Sequence, residues 1–371
     1  MKNVIATIIL LVSIQVQAQT KLEIGSQFGY EYNYFKSPDK VRFGNDILTE
    51  EDLISSSIYQ NITIDFEKKI KWNNSKLRLI VAPEATIFYE NTNDSYWQIK
   101  GEAKYYRDLS KTVELLADAG IKRMNRRGLD GAQDVLINPL GFTNLGASLG
   151  LQLKVLKNNK TTTKLFFNFR DFDAFGMRDL QFNEVGISLS TKQKIEINTN
   201  DYKIGLRGYY KIRKYDTFNA TNIITNGKRD WSYVKLNPYL DIPLSNSLTI
   251  KPGYIHYERF DKINRSGFTQ HGPELQLNYE LKNTEIKVDI SHLTRDYKNI
   301  DARDDNGLIG ENLTYKYTQF NINAAHKITK SIELTATIYS RIRTTNYTDL
   351  DARSFRGYRN QYAGIGIKWK L

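Results

Sequence analysis

The sequence predicts an all-β protein, a transmembrane antiparallel β-barrel of about sixteen strands with short turns on one side and longer loops on the other. Three observations carry the prediction. Long segments alternate apolar and polar residues with a period of two. Tight connections alternate along the chain with long ones. The composition is polar, with 40% hydrophobic residues, although 12% of residues are aromatic. Period-two alternation marks a strand with two unlike faces. Runs of about 10–14 residues are long for a soluble sandwich and suit a tilted strand crossing a bilayer. In hydrocarbon a sheet must close, because an open edge would leave N–H and C=O groups unpaired.

The elements follow in order. Residues 1–18 lie outside the fold: Lys2 supplies a positive start, Val4 to Val12 an apolar stretch, and Val16-Gln17-Ala18 a small-residue cleavage pattern. A signal peptide cleaved after Ala18 is expected, leaving 19–371 as a single barrel domain. Strands are expected near 21–35, 56–68, 75–90, 96–107, 112–126, 142–156, 162–172, 181–193, 202–215, 231–242, 247–260, 268–281, 284–298, 313–327, 331–345 and 360–371. Alternation is plainest in four of them. Ile204, Leu206, Tyr210 and Ile212 oppose Lys203, Arg207, Lys211 and Arg213. Ile286, Val288 and Ile290 oppose Glu285, Lys287 and Asp289, and Ile332, Leu334, Ala336 and Ile338 oppose Glu333, Thr335, Thr337 and Tyr339. At the end Ala363, Ile365, Ile367, Trp369 and Leu371 oppose Gly364, Gly366, Lys368 and Lys370. Connections at 108–111, 157–160, 243–246, 282–283 and 328–330 are tight; those at 36–55, 127–141, 216–230, 299–312 and 346–359 are long and polar. Segments 36–56 and 190–202 are the least defined, so fourteen to eighteen strands stay open.

Composition narrows the function classes. The 371 residues carry a formal charge of +12, four His and no Cys. Disulfides, thiolate metal sites, a lipoprotein anchor and a Cys nucleophile are therefore excluded. The mean hydropathy of −0.52 excludes a polytopic helical membrane protein, and the aromatic content excludes a disordered chain. Nucleic-acid binding is the naive reading of the charge, but an exported chain with its cations on one strand face argues against it. Tyr30, Tyr32, Tyr34, Trp97, Tyr105, Trp231, Tyr233, Tyr254 and Trp369 fall near strand ends, where a girdle at the membrane interface is expected.

With these features the chain resembles bacterial outer-membrane β-barrels over roughly residues 21–371. Gly366-Ile367-Lys368-Trp369-Lys370-Leu371 looks like the terminal signal read by the barrel assembly machinery; Trp369 fits the pattern, while Leu371 stands where Phe is usual and Ile365 where a polar residue is common. The resemblance implies outer-membrane residence, contact with the bilayer and lipopolysaccharide, and a homotrimer or a monomer. Size and charged strand faces are similar to a porin. The Arg/Tyr-rich strand ends resemble the chemistry of porins for acidic oligosaccharides, such as the oligogalacturonate-specific family, which have fewer strands.

If the apolar face meets lipid, the polar face lines the lumen, and there basic residues outnumber acidic ones. Arg126, Arg170, Arg213, Arg259, Arg295, Arg341 and Arg343 collect toward the loop side, with Arg207 and Lys211 nearby on the same face. Such rings favour anions, and a guanidinium suits a carboxylate or phosphate. Tyr209, Tyr215, Tyr257 and Tyr339 share the face and could stack on sugar rings. The expected function is passive diffusion of small anionic solutes, acidic oligosaccharides among them. Two other readings compete for the arginines: pairing with lumenal acids in a filled interior, or contact with lipopolysaccharide phosphates outside. The competing function is a non-conducting barrel serving as adhesin, secretion component or surface-assembly component. No catalytic residue, cofactor or metal is expected. Ser291 and His292 are adjacent and so point to opposite faces. Asp304, Asp305, Asp349 and Asp351 read as solvated loop acids.

Overall fold

The computed structural model describes residues 18–126, 141–154, 158–173, 178–197, 200–219, 229–264, 266–352 and 355–371. The expected signal peptide lies outside them except for Ala18, and so do nearly all of the expected loop 127–141 and the middle of 216–230.

Strand β1 (Ala18–Tyr32) leads into a small hairpin, β2 (Val41–Phe43) with β3 (Asp46–Leu48), and one helical turn, α1 (Glu50–Leu53). The barrel continues through β4 (Ser57–Trp72), β5 (Ser75–Phe88), β6 (Tyr96–Asp108), β7 (Val113–Asn125), β8 (Phe142–Leu153), β9 (Asn159–Phe172) and β10 (Arg178–Ile197). It is completed by β11 (Asn200–Asn219), β12 (Arg229–Pro243), β13 (Leu248–Asp261), β14 (Phe268–Leu281), β15 (Thr284–Asp304), β16 (Gly307–Lys327), β17 (Ile332–Thr345) and β18 (Tyr358–Lys370). Every barrel strand pairs antiparallel with its sequence neighbours, and β1 closes on β18 from Glu23↔Lys370 to Tyr32↔Gln361. Sixteen strands stand in the ring. Both described ends lie on the turn side, where the Leu371 N–H donates to the Leu22 carbonyl.

Two expected connections are strand instead. Around 190–202 the polar run still alternates: Ile195 and Ile197 are exposed while Lys194 shares the lumen parity, so β10 and β11 pair down to Ile197↔Asn200. The expected loop 299–312 is a hairpin extension of β15 and β16, which meet at Asp304↔Gly307 after register shifts between Asp296 and Arg303. Gly307 closes that turn with a φ of 119°, which favours glycine.

The parity of the strands sorts the side chains. Phe28, Ile121, Leu165, Val185, Ile204, Leu236, Ile338, Ile365 and Trp369 point outward and are exposed to the hydrocarbon position. The buried clusters lie inside, toward the loop side. One gathers Met124, Phe142, Phe172 and Phe182; another Phe268, Tyr297, Leu313, Tyr315 and Tyr317; a third Tyr34, Tyr59 and Phe88. This corrects the expected girdle. Tyr30, Trp97, Tyr254 and Trp369 are exposed on the outer face, but Tyr34, Trp231 and Tyr233 are buried inside. The physical reason is parity: Trp231 and Tyr233 alternate with Ser232 and Val234 and share the face of Lys235.

Candidate functional site: the lumen wall

The loop-side half of the lumen is a belt in which arginines lie on aromatic rings. Arg126 sits 4.5 Å from the Tyr96 ring centre. Arg170 lies 4.2 Å from Phe142 and 5.5 Å from Phe182, and its Nε donates to Asn144 Oδ1 at 3.2 Å. Arg213 covers the other end of this cluster, 4.2 Å from Phe182. Arg259, 1% exposed, lies between Trp231 at 4.3 Å and Phe268 at 4.5 Å, and donates to the Ser266 carbonyl. Arg295 stands 4.1 Å from Phe268, with Nε donating to Gln270 Oε1 at 2.8 Å. Arg343 lies between Tyr315 and Tyr358, at 4.6 and 4.5 Å, and Arg341 is 5.4 Å from Tyr317.

The rings touch one another from β8 round to β16. The sequence of contacts is Phe142–Phe172, Phe172–Phe182, Phe182–Tyr215, Tyr215–Trp231, Trp231–Tyr233, Tyr233–Tyr257, Tyr257–Phe268, Phe268–Tyr297, Tyr297–Tyr315 and Tyr315–Tyr317, with centroids 5.0–6.4 Å apart. Strand register builds this: Arg213 is opposite Glu184 on β10 and opposite Trp231 on β12, so a charge and a ring flank it at one height. A ring face attracts a cation by its quadrupole and leaves the guanidinium edge N–H groups for other acceptors. It orders the charge without cancelling it.

A buried carboxylate, Glu184, is built into this belt. Glu184, 6% exposed, accepts from Arg213 at 2.7 Å and from Lys211 at 3.0 Å. The turn-side half is different. There Arg78 pairs with Glu67 at 2.7 Å, Lys100 and Lys104 with Glu102 at 2.8 and 3.0 Å, Lys370 with Glu333 at 2.6 Å, and Lys164 with Asp118. Two lumenal cavities open among these groups: about 280 Å³ beside Lys100, Glu102, Asp118 and Lys122, and about 510 Å³ beside Gln27, Asp65, Lys287 and Glu333.

All the arginines singled out from sequence stand on the lumen parity, which removes the reading of contact with external lipopolysaccharide for them. Arg213 and Lys211 converge on Glu184, and Arg170 shares Phe182 with Arg213; Arg259 and Arg295 share Phe268; Arg341 and Arg343 share β17. Arg207 stands apart, lower in the wall, 4.7 Å from Tyr239. A side chain at Gly205 would meet the Tyr239 ring, so this glycine makes room for the stack. Of the tyrosines, Tyr209 and Tyr215 join the ring network, Tyr257 stacks on Tyr233, and Tyr339 stacks on Tyr362 at 5.0 Å. The rings under the arginines escape a reading that places strand-end aromatics at the interface; parity within each strand is the signal that finds them.

The loop acids also act inside the molecule. Arg42 of the β2–β3 hairpin pairs with Asp351 at 3.2 Å and Asp305 at 3.5 Å, and its N–H donates to the Leu350 carbonyl at 2.7 Å. Asp305 and Asp351, both exposed as expected of solvated loop acids, also link three loop-side segments through Arg42. His292 points outward and hydrogen-bonds Thr318 at 3.0 Å, while Ser291 faces the lumen. At the C-terminus Gly366 packs on the lumen side against Ser26 and Thr335, whereas Trp369 and Leu371 are exposed.

No family model matches the chain, and no curated protein matches it. Among solved structures it is similar to a bacterial polysaccharide outer membrane secretin, with 12% identity and a TM-score of 0.50 over 95% of this chain and 98% of that one. It is also similar to OccAB2 of Acinetobacter baumannii, at 11% identity and a TM-score of 0.47 over 95% and 98% of the two chains. The outer membrane protein opdK of Pseudomonas aeruginosa aligns at 9% identity and a TM-score of 0.44 over 95% and 99%. The likeness to the secretin is one of fold. A closed ring, an apolar outer surface and a polar interior leave hydrocarbon as the only fitting surroundings. The chain is a sixteen-strand β-barrel of the bacterial outer-membrane kind, and its place is that membrane.

Proposed function

We propose that the barrel is a channel for the passive diffusion of small anionic solutes, acidic oligosaccharides among them. The observation that carries the reading is the belt of guanidiniums held on ring faces. Cations paired with carboxylates offer little net field, whereas Arg126, Arg170, Arg341 and Arg343 lie on rings and make no ion pair among the described residues, and such charge favours anions in a pore. Guanidinium edges suit carboxylates, and the Tyr209, Tyr215, Tyr257 and Tyr339 rings, none of them fully buried, suit the faces of sugars. The chain enters this membrane after loss of residues 1–18, and exposed Trp369 and Leu371, with Gly366, serve recognition by the barrel assembly machinery.

Reconstitution in planar bilayers under a potassium chloride gradient tests the reading. A reversal potential on the chloride side is expected; a cation-selective or silent barrel sinks it. A second reading, a non-conducting barrel for adhesion, secretion or surface assembly, is favoured by the Arg42 latch, which ties loop-side segments together at the mouth. It requires the reconstituted barrel to stay silent even when Arg42→Ala opens the latch.

A further inference from the structure

A groove of about 580 Å³ crosses the outer wall on its turn-side half, over β16, β17, β18 and β1. Strand register makes it. Ala324 of β16 stands opposite Ala336 of β17, and the same row continues to Ile365 of β18 and Phe28 of β1. The row beside it runs from Thr284 through His326, Leu334 and Ile367 to Ser26. All these residues have the outward parity. Two alanine methyls side by side form a floor, and Leu334, Ile365 and Ile367 stand above it, Ile365 being 72% exposed. Phe28, tilted against Tyr89 at 6.2 Å, bounds the end on β1.

The groove has a direction. Barrel strands tilt by about 35–45°, so a register row crosses the wall obliquely. On β15 the row begins at Thr284, the first residue of that strand, and beyond β1 it reaches Ile62, ten residues from the end of β4 at Trp72. It therefore rises from the turn-side rim toward the middle of the wall. From β15 to β1 it crosses four strand spacings of about 4.8 Å, about 19 Å in all. Half a hydrocarbon core is about 15 Å deep, and crossing it at that slope takes about 20 Å. An extended acyl chain of the turn-side leaflet has this length and slope.

The rim end is basic. Thr284 Oγ1 and His326 Nδ1 lie 2.9 Å apart, which fixes the imidazole at the mouth of the groove. Lys282 and Lys330 are exposed in the two adjoining turns, and the Lys327 N–H ties these turns together by donating to the Asn283 carbonyl at 2.8 Å. None of the outward residues on the turn-side half of β14 to β18 is acidic; Glu280, Glu285 and Glu333 stand on the lumen parity. An apolar trough that ends in amino groups complements a fatty chain that ends in a phosphate. We propose that the groove holds one anionic glycerophospholipid of the periplasmic leaflet, its chain over Ala324 and Ala336 and its phosphate at His326, Lys282 and Lys330. The site rests on placement in the outer membrane and not on conduction.

Native mass spectrometry of the detergent-solubilised barrel, titrated with phosphatidylglycerol or with phosphatidylethanolamine of equal chains, tests the site. One phosphatidylglycerol per barrel is expected to persist, about fivefold or more above phosphatidylethanolamine, the size of effect that a lysine beside an anionic head supplies. Ala336→Leu, which fills the floor from a lipid-facing position, lowers the occupancy of both lipids about fivefold or more, because the chain loses its packing partners. Ala147→Leu, on the outer face of β8, leaves occupancy unchanged. Lys282→Gln with Lys330→Gln brings phosphatidylglycerol down to the level of phosphatidylethanolamine, and Lys111→Gln with Lys160→Gln, at other turns, does not. Circular dichroism confirms the strand content of each variant, and Ala324→Leu repeats the test should Ala336→Leu misfold. Equal occupancy by the two lipids in the unaltered barrel, or occupancy insensitive to the folded groove-filling variants, overturns the proposal. A dimer that Ala336→Leu dissociates gives the groove to a second copy and likewise overturns it.

Discussion

Arginine dominates the loop-side half of the lumen and lysine the turn-side half, and the two halves hold their charge in different ways. On the turn side Lys100 and Lys104 grip Glu102, Lys370 grips Glu333 and Arg78 grips Glu67. Each pair cancels most of its own field within a few ångströms, and its partly wet setting makes its contribution to stability small. On the loop side Arg170, Arg341 and Arg343 rest on Phe142, Tyr317 and Tyr315, which hold a cation by its face and return no opposite charge, and none of the three makes an ion pair among the described residues. The difference teaches that an excess of basic residues does not by itself make a selective wall. What matters is whether a cation is neutralised where it stands or only kept in place.

Three experiments break or sharpen this contrast. The largest effect is expected from reversing charge in the belt. Arg170→Glu with Arg295→Glu lowers the chloride-to-potassium permeability ratio about tenfold or more, since each reversal changes the local charge by two in a partly desolvated wall. Reversal potentials measured at two salt concentrations read it, and an unchanged ratio ends the argument for the belt. A smaller loss follows from removing a ring while keeping the charges. Phe182→Leu takes away the face shared by Arg170 and Arg213, two contacts worth about 0.5–2 kcal/mol each. Anion preference falls about threefold as the guanidiniums lose their fixed orientation, and the thermal midpoint drops. Loss of stability with unaltered selectivity would make the rings mere packing. The least effect belongs to the turn side: Lys104→Gln leaves Lys100 on Glu102, so selectivity moves by less than about 1.5-fold. A shift as large as the belt reversal would erase the distinction between the halves.

Much of the fold is legible because strand faces are a local property. The alternation of Ile204, Leu206 and Ile212 with Lys203, Arg207 and Arg213 gives the strand and its two faces without a neighbour. The polar segment 190–202 hides its strands only because Thr191, Gln193 and Asn200 resemble loop residues; the alternation runs on beneath them. Trp231 and Tyr233 look like girdle residues when position along the strand is weighed above parity. The outer groove is not legible at all, since the register that sets Ala324 beside Ala336 joins two strands.

The sequence by itself therefore determines a barrel, its strand order and which side of the wall each charge faces. These follow from period two and from short connections, and both act over a few residues. Only the tertiary structure decides what each charge meets. Closure of β1 on β18 brings Asn360 onto Glu31 and Asn33, and the β2–β3 hairpin carries Arg42 to Asp305 and Asp351. Such meetings join residues far apart in the chain. Their distances are set by register and by the path of a re-entering loop, which no local pattern records.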